Sequence, residues 1–177
     1  MLVLLLFLVV PLVVWYISVS NELKRDIVKI DEASSDIDVA LTKRYDVLTK
    51  MVEVVKGYVK HEKETMFGTI ELRQGMTMRE KAIVSEKIEE NLFRINALAE
   101  NYPDLKANEN FKVLQQAIAD TEEHLQASRR LYNAKVSSFN QKVVTFPTSI
   151  VSEMSGLTKR EFFKTEDIKR EDVKISF

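Results

Sequence analysis

Cysteine is missing altogether from the 177 residues, and only four glycines, three prolines and 8% aromatics are present. Without cysteine there are no disulfides, no thiolate metal sites, no Cys nucleophile and no lipoprotein anchor, although the compartment stays open. So few turn-formers exclude a strand-rich fold, which needs many tight connections, and suit long helices instead. The net charge of −1 lacks the excess of one sign that nucleic acid or an acidic substrate would call for. The four glycines are isolated from one another, so there is no phosphate-cradling loop. Histidine is nearly absent too: His61 and His124 are the only two. "HEKET" lacks the second histidine of a zinc-protease helix. The Glu-x-x-His motif of carboxylate-bridged metal bundles fails as well, because Tyr58 and Thr121 stand where the glutamates belong. Ser137 and Ser138 have no recognisable base partner. No residue stands out as catalytic, cofactor-binding or metal-binding, and no cofactor is implied.

What the chain does have begins at its start. "MLVLLLFLVVPLVVWYISVS" contains no charged residue from Met1 to Ser20. Roughly 20 apolar residues are what a membrane-spanning helix requires. Trp15 and Tyr16 stand at its far end, where interfacial anchors belong, and Pro11 is tolerable in a membrane helix. Ser18 and Ser20 would also satisfy a signal-peptide cleavage site. The apolar run exceeds a usual h-region, however, and no Lys or Arg precedes it, so residues 1–20 are expected to be a retained transmembrane anchor.

From Asn21 the sequence turns charged and periodic. Leu23, Ile27, Ile30, Ile37, Leu41, Leu48, Met51, Val55 and Tyr58 recur at three/four spacing, interrupted at Ser34, Arg44 and Glu62. Tyr45, Val52 and Val59 on one flank, with Val47 and Val54 on the other, widen this face enough to touch two neighbours. No proline separates Pro11 from Pro103, so the anchor is free to continue into the first charged helix. Gly75 fits a helix C-cap and Thr77-x-x-Glu80 a capping box, with Gly68 an earlier stop. The second helix carries Met78, Ala82, Ser85, Ile88, Leu92, Ile95, Ala99 and Tyr102. Pro103 stops it, and Asp104 or Asn108 caps the next. Phe111, Leu114, Ile118, Thr121, Leu125, Ser128, Tyr132, Phe139, Val143 and Phe146 form a third stripe, broken at Lys135 and ended by Pro147. "TSIVSEMSG" predicts a short helix, capped by Thr148 or Ser149 and stopped at Gly156.

The expectation is an all-α chain: a transmembrane helix (1–20), an elongated antiparallel bundle of three long helices with a short C-terminal helix (21–156), and a charged, loosely ordered tail (157–177). Two internal positions need an explanation. Arg44 interrupts an apolar stripe, either as a paired polar layer that fixes register or as an edge residue that snorkels. Gly57, read as mid-helix, costs roughly 1 kcal/mol relative to Ala and marks a close approach, a kink or a contact for a partner's backbone. In "ASRRLYN" Arg129 and Arg130 point away from the stripe of Tyr132, so no nucleic-acid surface is expected.

Four motifs in order resemble the LemA family of bacterial membrane proteins: "SDIDVALTKRYDVLTKMVEVVKGYVKHEKET" (35–65), "AENYPDLKANENF" (99–111), "ASRRLYNAKVSSFN" (127–140) and "FPTSIV" (146–151). The resemblance implies a single-pass protein with an N-terminal membrane helix and long antiparallel helices, without catalytic residues to carry over. The resulting expectation is a non-enzymatic scaffold or interaction module of the bacterial cell membrane. Its partners would be the bilayer and other envelope proteins or copies of itself. The alternatives are a membrane-organising protein whose helices contact lipid, and an enzyme or metal-binding bundle. Lys24, Arg25 and Lys29 follow the anchor, which by positive-inside counting leans toward a cytoplasmic domain, with an uncleaved signal-anchor and an extracytoplasmic domain as the alternative.

Overall fold

The structure, a computed structural model, describes residues 2–59 and 70–164, with the side chains of residues 2–6 and 8 outside that set. His61, Glu62, Gly68 and the tail from residue 165 lie outside it too. Among the described residues the chain is helical with no strand: α1 (Leu2–Lys56), α2 (Met78–Asn101), α3 (Pro103–Ala107), α4 (Glu109–Val144) and α5 (Thr148–Met154). The chain divides into two compact units, Met1–Asp36 with Ser128–Phe162 and Ile37–Ala127 with Phe163–Phe177. α1 and α4 therefore each contribute to both.

α1 runs without a break through Pro11 and across Ser20–Asn21. It ends earlier than its apolar stripe suggested. The Gly57 and Tyr58 amides donate to Val54 and Val55 carbonyls at 3.1 and 2.9 Å, the tightened bonding of a helix end. Gly57 thus follows the helix and is not mid-helix. Among the described residues a Cβ there would meet only the Val54 carbonyl of its own turn, at 3.3 Å, so no described helix approaches it. The physical reason is local: glycine amid Val52, Val54, Val55 and Val59 is a poor place to propagate a helix.

In the second unit, contacts fix the helix directions. Lys81, in the first turn of α2, reaches Asp38 of α1, whereas Asn108, shortly after α2, donates to the Tyr58 hydroxyl at 2.7 Å. At about 1.5 Å per residue, Asp38 to Tyr58 and Lys81 to Asn101 each cover about 30 Å. α2 consequently runs parallel to α1. Were it reversed, its end would lie some 60 Å from Tyr58, beyond the reach of the few residues before Asn108. α4 then returns antiparallel to both, with Gln115 beside Asn96 and Glu122 beside Arg44. The bundle is not antiparallel throughout, as the periodicity had suggested. α2 begins alongside the middle of α1, and Gly75, with φ of 77°, makes a turn there instead of capping a helix. Periodicity locates a face; it does not show which end of the neighbour the face meets.

Caps match the sequence in part. Thr77 and Glu80 form the full capping box, each side chain bonded to the other's backbone N–H at 3.2 and 2.8 Å. This holds the Glu80 carboxyl below its ordinary range, chiefly through the Thr77 backbone N–H. Asn108 Oδ1 accepts from the Phe111 amide at 3.0 Å and so caps α4. Asp104 caps nothing, because Pro103 already opens α3. α5 has no side-chain cap either: the Thr148 hydroxyl donates instead to the Lys142 and Thr145 carbonyls at 2.6 and 2.8 Å.

Unit 2 buries Ile37, Leu41, Leu48, Met51 and Val55 from α1, Ile88, Leu92, Ile95 and Leu98 from α2, and Phe111 and Leu125 from α4. Each such side chain removed from water is worth about 1.5–3 kcal/mol before conformational entropy is set against it. In unit 1 the buried set is Val19, Leu23 and Ile30 of α1, Tyr132, Val136 and Phe139 of α4, and Val151 of α5. Val136 takes the place that Lys135 interrupts. Phe146, counted in the stripe, is exposed, because α4 ends two residues before it.

Candidate functional site

His124 is exposed on α4, His61 is outside the described residues, and no cluster of three metal-ligating side chains occurs among the described residues. Ser138 is exposed, and Ser137 serves as acceptor for Gln141 at 3.3 Å. Arg130 is exposed while Tyr132 is buried, so the two do not form one basic–aromatic surface.

The polar groups that the fold does bring together include cross-helix ion pairs, and in unit 2 these join Arg44 to Glu122 and Lys81 to Asp38. Arg44 is 4% exposed and its Nη2 lies 2.7 Å from Glu122 Oε2, off the line of an ideal hydrogen bond but a close charge contact. This favours the paired polar layer over snorkelling, since the guanidinium is inside and its partner comes from α4. Lys81 is 3% exposed, with its Nζ 2.7 and 2.8 Å from the two Asp38 oxygens. The sequence reading missed this residue by following one face of α2 too narrowly. A second row at the same spacing, Lys81, Val84, Ile88, Asn91, Ile95 and Leu98, is buried throughout. Lys81 and Asn91 are its polar members, and that row was the available signal.

In unit 1, Lys142 of α4 sits between Glu22 and Asp26 of α1 at 2.5 and 2.7 Å. These bonds, Asp26 first, push the ammonium above its ordinary lysine value. α1 and α4 are antiparallel here too, since Asp31 acts on Tyr132 while Glu22 and Asp26 meet Lys142. Beyond Lys142 the chain turns through a cis Phe146–Pro147 bond into α5, which folds back with Ser152 Oγ donating to the Val143 carbonyl at 3.0 Å. Gly156, with φ of 66°, closes α5: its own amide donates to Glu153 and that of Leu157 to Ser152.

The charged tail is held where it is described. Asn140 grips the Arg160 backbone twice, at 2.9 and 2.8 Å, and the Tyr132 hydroxyl donates to the Glu161 carbonyl at 2.8 Å. Burial raises the Tyr132 pKa above its usual value.

At the other end of unit 1 the side chains of Phe7, Val9, Val10, Leu12, Val13, Val14 and Ile17 are exposed, Phe7 to 81%. Among the described residues no helix is long and apolar enough to cross a membrane.

The LemA family model matches residues 33–177. Protein LemA of Metamycoplasma hominis is 33% identical over 166 residues, covering 91% of this chain and 76% of that protein. Magnetosome protein MamQ 2 of Paramagnetospirillum magneticum is 25% identical over 73 residues, 41% of this chain and 27% of that protein. The chain thus spans about a quarter of that relative's length. The match over most of the chain, together with the extended identity to a LemA protein, means that this protein belongs to the LemA family.

Proposed function

We propose that the protein is a membrane-anchored helical scaffold, a non-enzymatic interaction module of the bacterial cell membrane. One observation carries the reading. The uncharged start of α1, with Phe7, Val9, Val10, Leu12, Val13, Val14 and Ile17 unburied by the fold, continues without a break into a charged helix. In water that exposure would be unfavourable over its whole length; in lipid it is what a spanning helix presents. The charged remainder is braced by cross-helix ion pairs, which suits a surface that holds its shape for a partner protein or a second copy. Lys24, Arg25 and Lys29, all exposed, follow the anchor and support a cytoplasmic side for the helical domain.

The test uses the cysteine-free background. Glu161 engages Tyr132 through its backbone carbonyl, so Glu161→Cys leaves that bond in place. Membranes washed at alkaline pH should retain the protein, and release into the wash would defeat the anchor. Intact cells treated with a membrane-impermeant maleimide should leave position 161 unlabelled until lysis. Labelling of intact cells would instead place the domain outside the cytoplasm and direct the partner search to that side.

A second reading, in which folded helices touch lipid directly, is favoured by one specific feature. Residues 143–152, "VVTFPTSIVS", carry no charge, and part of that run is exposed.

A further inference from the structure

We propose that the corner between α4 and α5 is a second membrane contact, its apolar side chains seated in the interfacial layer of the bilayer that holds the start of α1. The inference rests on residues 1–20 being an anchor.

Composition is the first support. Between Lys142 and Glu153 the sequence has no charged residue, in a chain where 30% are charged. The fold buries only part of this run: Val144, Phe146 and Ile150 are exposed, Phe146 to 77%, and so is Met154 just past Glu153, to 70%. Ile150 and Met154 are one helical turn apart and so share a face of α5. Among the described residues, the other large apolar side chains exposed in unit 1 beyond the anchor are Val28, Leu131 and Phe162, each next to a charged residue in sequence rather than set in an uncharged run.

Register supplies the second. Lys142 is clamped to Glu22 and Asp26, the first acidic residues after the uncharged run. Because α4 runs antiparallel to α1 in this unit, each residue from Lys142 to the end of α4 at Val144 steps about 1.5 Å toward the start of α1, and the Thr145 amide, still bonded to the Gln141 carbonyl, carries the chain on that way. Phe146 therefore lies about level with Ser18 to Ser20, within a turn of Trp15 and Tyr16. That is the depth at which aromatic and amphipathic groups sit at a membrane surface. Ser152 and Thr148 spend their hydroxyls on backbone carbonyls, which leaves the corner few polar groups to solvate.

Charge completes the match. Glu22 and Asp26 share Lys142 at this level, with Lys29 also 3.9 Å from Asp26, while Lys24, Arg25, Lys159 and Arg160 are exposed. Arg160 is fixed beside Asn140, two residues before Lys142. Cations just outside an apolar corner suit the phosphates of anionic lipid.

The test is made on the full chain reconstituted in vesicles of phosphatidylcholine and phosphatidylglycerol. Trp15, the one tryptophan, reports on the anchor. Met154→Cys carrying a bimane reports on the corner, with Phe146→Cys as an independent site and Leu131→Cys as a control about 20 Å back along α4. Nitroxide-bearing lipids should quench Trp15 and the labels at 154 and 146, the latter two with blue-shifted emission, and should leave the label at 131 bright. Quenching of Trp15 with bright labels at 146 and 154 that aqueous iodide still reaches would put the corner in water. Bright labels shielded from iodide as well would mean that a second copy covers the corner. Either result overturns the proposal while the anchor stands. An unquenched Trp15 would remove the anchor and this proposal together.

Discussion

The two units fix their helices with the same kind of pair placed at different depths. In unit 2, Arg44 and Lys81 are buried, and their carboxylates, Glu122 and Asp38, sit nearer the surface. In unit 1, Lys142 bridges Glu22 and Asp26 from a half-exposed position. A buried cation cannot turn to water if its partner is lost, so a wrong register leaves an unpaired charge inside. A half-exposed lysine can be hydrated, so its pair guides without enforcing. The difference shows that unit 2 is where helix pairing is most strongly specified, while unit 1 rests its order on packing and on the strap from Leu157 to Glu161.

Removing a carboxylate from unit 2 should have the largest effect. Glu122→Ala removes the carboxylate beside the buried Arg44 and should cost about 2–4 kcal/mol, somewhat less than a fully enclosed pair because water reaches the site. Arg44→Met, which removes the charge and keeps the volume, should cost clearly less. Urea denaturation of both variants checks this, and equal losses would break the contrast between buried and exposed pairs.

Next comes Asn108→Ala, which takes away both the α4 cap and the bond to Tyr58. About 1–2 kcal/mol should be lost, read as a lower thermal midpoint. Tyr132→Phe sharpens the account of unit 1. Losing the hydroxyl bond to Glu161 should cost about 1 kcal/mol and speed amide exchange between Leu157 and Phe163. Unchanged exchange there would mean that Asn140 holds the strap alone.

Lys142→Met should be the smallest, under about 1 kcal/mol at neutral pH. Its pH dependence has a definite sign. The folded Lys142 ammonium has a raised pKa, so its contribution is present below the ordinary lysine value and lost as pH climbs through the raised one. Tyr132, also raised, acts in the same alkaline direction. Glu80 is lowered: its contribution holds above the ordinary glutamate value and fades as pH falls through the folded one. Melting followed from neutral to strongly alkaline pH should show Lys142→Met losing less than the parent.

Much of this was legible before the fold. Leu23, Ile30, Ile37 and Leu41 announced the inner face of α1, Thr77 with Glu80 opened α2, Pro103 closed it, and Asn108 capped α4. These are local rules, in which the residues that decide lie within a turn or two. Arg44 could be flagged but not assigned, because its partner is far along the chain. Lys81 was hidden, since a lysine within one turn of a charged helix start looks exposed until Asp38 is known to face it.

Sequence alone therefore determined the helical class, the helix faces, most of the stops and the uncharged stretch at the start, because spacing and capping act over a few residues. Tertiary structure decided that α2 runs parallel to α1 and which charges go inside. It also decided that the Val143–Ser152 corner comes level with the end of the uncharged run. Those outcomes depend on distant residues competing for the same partners, and the competition is resolved only when the helices pack.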